Sequence, residues 1–459
     1  MKIMLDVPLR INEICRVLNS KLPDNISTTA EISSICTDTR ECDSGDLFIA
    51  LSGKSDSGEN YTNDALSKGC TVISSSGKYG FIYTEDTAAA LMKIATLYKE
   101  TIAPRYTVAV TGSVGKSTTV KFLASILKEK YRVHSTIGNF NNHIGLPLTV
   151  LAMPRGTEVL VLEMGMNHIR EISKLSRSMN PDMAIITNIG TAHIGNLGSR
   201  ERIAEAKLEI CDGIKNGKII MPYGEPLLSG IKNGLYVGRN TSLSDFSLDD
   251  DINGTYSFNF IENKIEGIEF FDKREHLLCD LAIAISAAHM LLLSPEEIIR
   301  GVGAITSSNL RQRFIKMKDF TIFDDSYNAS FESVIADLKY IHSFGKPTGA
   351  FIGDILELGD NAVAIHENIG HFAAELKTDH LYLYGEYAEH TSRGAISNGM
   401  SRNQIYINKS LESPEVSISH IINNHSKNEI VLFKASHKMR LDKIADTIKS
   451  QERNSNENQ

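Results

Sequence analysis

Residues 106–130 read YTVAVTGSVGKSTTVKFLASILKEK, and the rest of the chain is organised around them. Tyr106 to Val110 are β-prone and run into Thr111-Gly112-Ser113-Val114-Gly115-Lys116-Ser117-Thr118-Thr119; beyond that loop Phe122, Leu123, Ile126 and Leu127 share one face at helical spacing. The reading is strand, phosphate loop, helix. Gly112 and Gly115 let backbone N–H groups converge on an anion with no Cβ in the way, and the helix start adds orphan donors and the positive end of its dipole. Lys116 would reach the terminal phosphates and the Ser117 hydroxyl would hold Mg²⁺, with Ser113 and Thr118 in the same nucleotide-binding loop. Val110 stands where the general GxxxxGK pattern has its first glycine, so this is the tighter TGSxGKS form. A glycine turn before an amphipathic helix with a solvated lysine explains the glycines but not the whole string.

The 459 residues suffice for about two to four domains. Apolar content of 42% and charged content of 23% are those of an ordinary globular protein. A formal charge of −8 argues against nucleic acid or an anionic membrane as the main partner. The first residues carry Asp6, Arg10 and Glu13 through their apolar positions, unlike a signal peptide, and no apolar run approaches membrane-spanning length. Cys15, Cys36, Cys42, Cys70, Cys211 and Cys279 have no CxxC spacing, which favours reduced thiols in a cytoplasmic protein over disulfides or zinc. The tail, 451–459, is polar enough to be disordered.

Taken in order, residues 1–102 predict a small α/β unit, with a helix over 9–18 and a strand over 46–51, and with Thr37-Asp38-Thr39-Arg40 on a loop beside it. Residues 103–311 alternate strands and helices, which implies a mainly parallel sheet covered on both faces. Its strand at 159–162 presents Glu163 at its C-terminal end, and the strand at 183–186 opens toward His193. Ligands of open α/β sheets gather at that edge, where the phosphate loop also lies. Taken singly, however, a solvated glutamate and a hydrogen-bonded loop histidine are the simpler readings. A helix over 199–214, N-capped by Ser199, contains Lys207, whose default reading is a surface lysine beside a glutamate. Residues 312–459 repeat strand and helix in a Rossmann-like rhythm without a GxGxxG fingerprint, so a dinucleotide is not expected there. The loop after its first strand is Asp324-Asp325-Ser326-Tyr327-Asn328-Ala329-Ser330.

Together these strings resemble the Mur ligases, and most closely their MurF branch, over nearly the whole chain. TGSVGKSTT, TIGNFNNHIGLPLTVL at 136–151, LEMGMNHIREISKLSR, PDMAIITNIGTAHIGNLGSRERIAEAKLEI, DDSYNAS, GDILELGDNAVAIHENIG and VLFKASHKMRLDKI follow in the family's order, and TDTRECDSGDLFIALSG resembles its uridine-nucleotide domain. DDSYNAS discriminates most, because sister ligases differ there. The resemblance implies an α/β fold of three domains: one for the UDP-sugar substrate (1–102), a central ATP-binding one (103–311) and a C-terminal Rossmann-like one (312–459). It also implies transfer of the γ-phosphate of ATP to a substrate carboxylate, after which an amine displaces phosphate to form an amide. Bringing two anions together requires neutralisation, assigned to Lys116 and two Mg²⁺ ions. By the same analogy Ser117 and Glu163 belong to one metal and His193 to the other. Lys207 matches the lysine that related ligases carbamylate with CO₂. Arg313, Asp325, Tyr327 and Asn328 would close over the nucleotide beside His276 and Asp280. Thr39, Arg40, Asn139, Asn141, Asn142, Lys434 and Ser436 would face the other substrates.

The chain departs from the branch at Pro222-Tyr223-Gly224-Glu225-Pro226, at Leu277 and Asp280, where amide side chains are usual, and at His437, where arginine is usual. These positions touch base and substrate recognition and spare the phosphate and metal chemistry. The expected protein is a monomeric bacterial cytoplasmic ligase taking UDP-N-acetylmuramoyl-tripeptide and D-alanyl-D-alanine, with no nucleic-acid partner and no membrane insertion. The alternatives are a paralogue joining another amine to another carboxylate, and a nucleotide-binding protein without turnover.

Overall fold

The structure, a computed structural model, describes all residues except 54–55, 79, 252, 262, 308–311, 412 and 458–459, and only the backbone of 451–457. The expected boundary at 311 thus falls outside the described residues. The chain divides into two compact units, one comprising Met1–Thr187, Glu205–Phe270 and Cys279–Ala304, the other Asn188–Ala204, Phe271–Leu278 and Ile305–Gln459.

The first unit contains two sheets among its described residues. One has strands β1 (Lys2–Arg10), β2 (Glu31–Cys36), β3 (Leu47–Ile49), β4 (Thr71–Ser74) and β5 (Ile82–Tyr83) in that order, antiparallel between β1 and β2 and parallel thereafter. The other is built from β6 (Tyr106–Thr111), β7 (Val133–Ser135), β8 (Val159–Glu163), β9 (Met183–Ile186), β10 (Lys218–Pro222), β11 (Gly234–Arg239), β12 (Phe246–Asp250), β13 (Tyr256–Phe260) and β14 (Asn263–Ile268), ordered 14-13-12-11-10-9-6-8-7. β6 pairs in parallel with both β8 and β9, so the phosphate-loop strand lies inside the sheet with a neighbour on each side. Every residue of β8 and β9 is buried, as continuous apolar runs in a doubly covered parallel sheet require. The helix Thr87–Ile102 ties the two sheets' layers together: the Tyr98 hydroxyl donates to the Met153 carbonyl at 3.0 Å and accepts from the Asp6 amide at 3.1 Å.

The second unit holds β15 (Arg313–Lys316), β16 (Phe320–Asp324), β17 (Thr348–Gly353), β18 (His380–Tyr384), β19 (Ile405–Asn408) and β20 (Glu429–Lys434), ordered 15-16-20-17-18-19 and parallel except at β15. Side chains alternate across a strand, and that period of two divides the core. Ala350, Ile352, Leu381, Leu383, Ile430 and Leu432 face one layer with Leu338 and Ile369; Phe351, Tyr382, Tyr384, Val431 and Phe433 face another with Ile421, Leu441 and Ile448. The last helix runs through Leu441–Glu457, so helical backbone extends into the tail that composition reads as disordered. That stretch has neither proline nor glycine to stop a helix, and its Glu and Gln residues propagate one well.

Candidate active site

In the first unit the loop between β6 and the helix Lys116–Leu127 is shaped by two glycines. Gly115 has φ +84°, a left-handed conformation that any Cβ would strain, and a Cβ there would strike the Asp280 carboxyl. A Cβ on Gly112 would strike the Thr187 hydroxyl, which donates to the Val114 carbonyl and so pins the loop to the end of β9. Lys116 Nζ donates to the Gly112 carbonyl at 2.7 Å and to that of Ser113 at 3.3 Å, so the ammonium lies across the mouth of the loop. Ser113 is buried, while Ser117 and Thr118 are half-buried at the start of the helix.

β8 delivers Glu163 to the same place. Its carboxylate accepts from the Ser117 hydroxyl at 2.5 Å and from Asn141 Nδ2 at 2.7 Å, while its amide donates to the Thr136 hydroxyl at 2.9 Å. The side chain is buried, so a carboxylate is held in the interior by polar neighbours at the edge of the phosphate loop. Two hard oxygen donors, a serine hydroxyl and a glutamate, meeting beside a phosphate-binding loop are the donor set that suits Mg²⁺. Asn141 is therefore placed on the glutamate. Asn139 is exposed, and Asn142 Oδ1 caps the helix Gly145–Leu151 by accepting from Ile144 and Gly145 amides at 3.1 and 2.8 Å.

Lys207 departs from its default reading. It is 2% exposed, and among the described residues no hydrogen bond or ion pair is formed by its amine. Burial first, and then the like charge of Lys116, push its pKa well below the ordinary lysine value. Asp280 is equally interior: burial pushes its carboxyl well above the ordinary range, against the pull of the Thr119 hydroxyl. In the N-terminal sheet Thr39 is buried, whereas Arg40 is exposed and forks onto Asp38 through Nε at 2.9 Å and Nη2 at 2.6 Å.

In the second unit His193 takes φ +65°, unusual for a residue with a Cβ, and its Nδ1 meets Glu357 Oε2 at 2.7 Å. A carboxylate on one imidazole nitrogen fixes the ring's tautomer and direction, the outer-shell arrangement of metal-bound histidines. Lys434 is 2% exposed and lies between Asp325 and Asp337, the latter at 2.8 Å. Burial works against its charge, but the two carboxylates hold its pKa raised. Burial raises the Asp325 pKa; the Lys434 charge opposes this and the neighbouring Asp337 adds to it. Gln312 Nε2 donates to Asp325 at 3.3 Å and Oε1 accepts from Arg274 at 2.8 Å; Arg274 itself forks onto Asp272 and lies over the Tyr340 ring at 4.5 Å. Beside this network His276 is held down to about 4 by burial and by the positive charges of Arg274 and Lys434. Arg313 bonds Asp324 at 2.7 Å and Asp446 at 3.2 Å, Tyr327 packs on the His437 ring at 5.3 Å, Asn328 is exposed, and Ser436 Oγ accepts from the Leu356 amide at 2.8 Å.

The candidates thus fall into two groups. One gathers Gly112, Gly115, Lys116, Ser117, Glu163, Asn141, Lys207 and Asp280 in the first unit; the other gathers His276, Asp325 and Lys434 in the second. Sequence reasoning missed the residues that orient them: Thr136, Thr187, Asp337, Glu357, Asp272 and Arg274. Thr136, Thr187 and Glu357 carried a signal, since each lies within a string quoted for the resemblance; Asp272, Arg274 and Asp337 carried none.

Residues 110–290 match the family model of the Mur ligase middle domain. The chain is 35% identical to the UDP-N-acetylmuramoyl-tripeptide--D-alanyl-D-alanine ligase of Bacillus subtilis (strain 168), over 96% of this chain and 98% of that one. Its fold is similar to that of MurF from Acinetobacter baumannii, with a TM-score of 0.86 and 26% identity over 97% and 99% of the two chains. It is also similar to the MurF ligase of Thermotoga maritima solved in complex with ADP, with a TM-score of 0.78 and 26% identity over 92% and 98%. A phosphate loop joined through Ser117 to a buried Glu163, on a chain alike from end to end, places this protein in the MurF family of Mur ligases.

Proposed function

We propose that this protein joins D-alanyl-D-alanine to UDP-N-acetylmuramoyl-tripeptide at the expense of ATP, releasing ADP and phosphate. The observation that carries the reading is the Ser117–Glu163–Asn141 cluster at the mouth of the phosphate loop, where Lys116 also lies. Residues 1–102 would bind the UDP-sugar end, with Thr39 and Arg40 on its loop. Residues 103–311 would hold ATP, and 312–459 would complete the site.

The reaction has two steps. An acceptor carboxylate oxygen attacks the γ-phosphorus as the bond to the β-bridging oxygen breaks, giving an acyl phosphate and ADP. The dipeptide amine then adds to the acyl carbon, loses a proton, and expels phosphate as the amide forms. The loop amides and Lys116 would hold the terminal phosphates in line and balance the charge that gathers on them. Ser117 and Glu163 would bind one Mg²⁺ and His193, oriented by Glu357, would bind another; these ions supply charge neutralisation between the two anions.

Lys207 fits a carbamate. A buried amine without a counter-charge gains by becoming neutral, and a neutral amine adds CO₂, releasing one proton and leaving an anion. That would set a negative charge facing Lys116. The function is tested by phosphate release from ATP and Mg²⁺ with UDP-N-acetylmuramoyl-tripeptide, comparing D-alanyl-D-alanine with single amino acids. The dipeptide should support turnover and yield the pentapeptide mass. Equal or greater turnover with a single amino acid favours the paralogue reading.

A further inference from the structure

Three of the chain's six cysteines converge in the N-terminal sheet although their numbers are far apart. Cys36 ends β2, Cys42 follows the short turn Thr39–Glu41, and Cys70 precedes β4. All three are buried, packed with Phe48, Ala65, Val72 and Phe81. The sulfurs of Cys36 and Cys42 and a carboxylate oxygen of Asp46 lie within 4.8 Å of one another, and Cys42 also interacts with the Cys70 thiol. The thiols point at backbone carbonyls that are already within the fold: Cys36 and Cys42 at Asp38 O (3.0 and 3.5 Å), Cys70 at Asp43 O (3.3 Å).

Asp46 sets this apart from a plain apolar cluster. It is a buried carboxylate inserted among thiols and held by three donors: the Ser34 hydroxyl, the Asp43 amide at 2.8 Å and the Lys2 ammonium at 2.8 Å. Carboxylates that ligate metals are themselves hydrogen-bonded in this way, which fixes their orientation. Three sulfurs and one oxygen are a donor set that selects Zn²⁺ over Mg²⁺. In a tetrahedron with Zn–S bonds of about 2.3 Å the ligand atoms stand ~3.8 Å apart, so Cys36, Cys42 and Asp46 need close by no more than about an ångström, and the Cys70 thiol, beside Cys42, would move in to complete the set. Four anionic ligands on Zn²⁺ leave a net negative charge, and Lys2 stands beside it as compensation.

We propose that Cys36, Cys42, Cys70 and Asp46 form a structural zinc site that staples β2, β3 and β4 together. Binding displaces the thiol protons. The site is closed and lies in the N-terminal sheet, so it acts on stability rather than on the reaction.

The test is a Co²⁺ titration of the full-length, reduced, metal-stripped protein. Thiolate-to-cobalt charge-transfer absorption should rise, saturate at one ion per chain and disappear on adding one equivalent of Zn²⁺, and Zn²⁺ should raise the melting temperature. Oxygen-ligand Mg²⁺ sites give no such absorption and cannot imitate it. Cys42→Ala should abolish the signal, while the Cys15→Ala/Cys211→Ala/Cys279→Ala triple variant should keep it. Absence of the absorption in the wild-type protein overturns the proposal, as does its survival in Cys42→Ala or its loss in the folded triple variant. A Cys36–Cys42 disulfide that forms on oxidation without metal uptake by the reduced protein also overturns it. Should Cys42→Ala fail to fold, the wild-type and triple-variant titrations decide.

Discussion

Lys207 buries a long amine facing another lysine, and among the described residues no counter-charge balances it. A carbamate removes that imbalance. Lys207→Ala should therefore fold and lose most ligase activity, by about 100-fold or more, with partial recovery on adding acetate or formate to fill the vacated anionic position. Lys207→Arg keeps the positive charge and cannot take up CO₂, so it should stay inactive with or without the added carboxylate. Ligase rates of both variants decide the matter; wild-type activity in Lys207→Ala would return this lysine to a packing role. Asp280 makes a different prediction. Its folded pKa lies above the ordinary 3.8, so the protonated form stabilises the fold below that value, and the contribution is lost as pH rises toward the folded pKa. Asp280→Asn does not titrate. Its stability should exceed that of the wild type at pH 8 by roughly 1–3 kcal/mol, and the gap should shrink toward pH 4. Urea unfolding at several pH values measures this, and a gap that stays constant with pH would rule out a titrating Asp280.

At the scale of elements, the strands that deliver chemistry were the easiest to read, because each is a short apolar run ending in a polar loop. The phosphate loop, β8 with Glu163 and β9 were legible for that reason. β1 was not: its Ile3, Leu5 and Leu9 are buried at a strand's period, but two of the exposed positions between them, Asp6 and Pro8, are residue types depleted in strands. The burial of Lys207 is not legible in its helix, Arg200–Leu208, which is charged along its length and presents no clean apolar stripe from which burial follows. The gathering of Cys36, Cys42 and Cys70 was hidden for a topological reason, since it depends on β2, β3 and β4 returning side by side in parallel. The interior ion triad of the last sheet was likewise invisible, because Asp337 lies in the helix Phe331–His342 and meets Lys434 from β20 only in the fold. That triad has one cation and two carboxylates. Lys434→Met would leave two carboxylates buried together and should cost about 3–5 kcal/mol, whereas Asp337→Asn leaves a matched pair with Asp325 and should cost clearly less. Chemical denaturation of the two variants gives the order, and a larger loss in Asp337→Asn would contradict it.

Over the whole molecule, a net charge of −8 is compatible with anionic substrates, because a phosphate loop concentrates donors locally and Lys116 lies across its mouth. Among the described residues no helix is long and apolar enough to cross a membrane. The proposed chemistry turns on activation of a carboxylate by phosphorylation before the amide forms. The most direct measurement uses acceptor tripeptide with its reacting carboxylate labelled with heavy oxygen, and follows the label by mass spectrometry after complete turnover with ATP and D-alanyl-D-alanine. One labelled oxygen should appear in the released phosphate and the other should remain in the new amide. Unlabelled phosphate accompanying a full yield of amide would contradict the acyl-phosphate route, and with it the role assigned here to Lys116, Ser117 and Glu163.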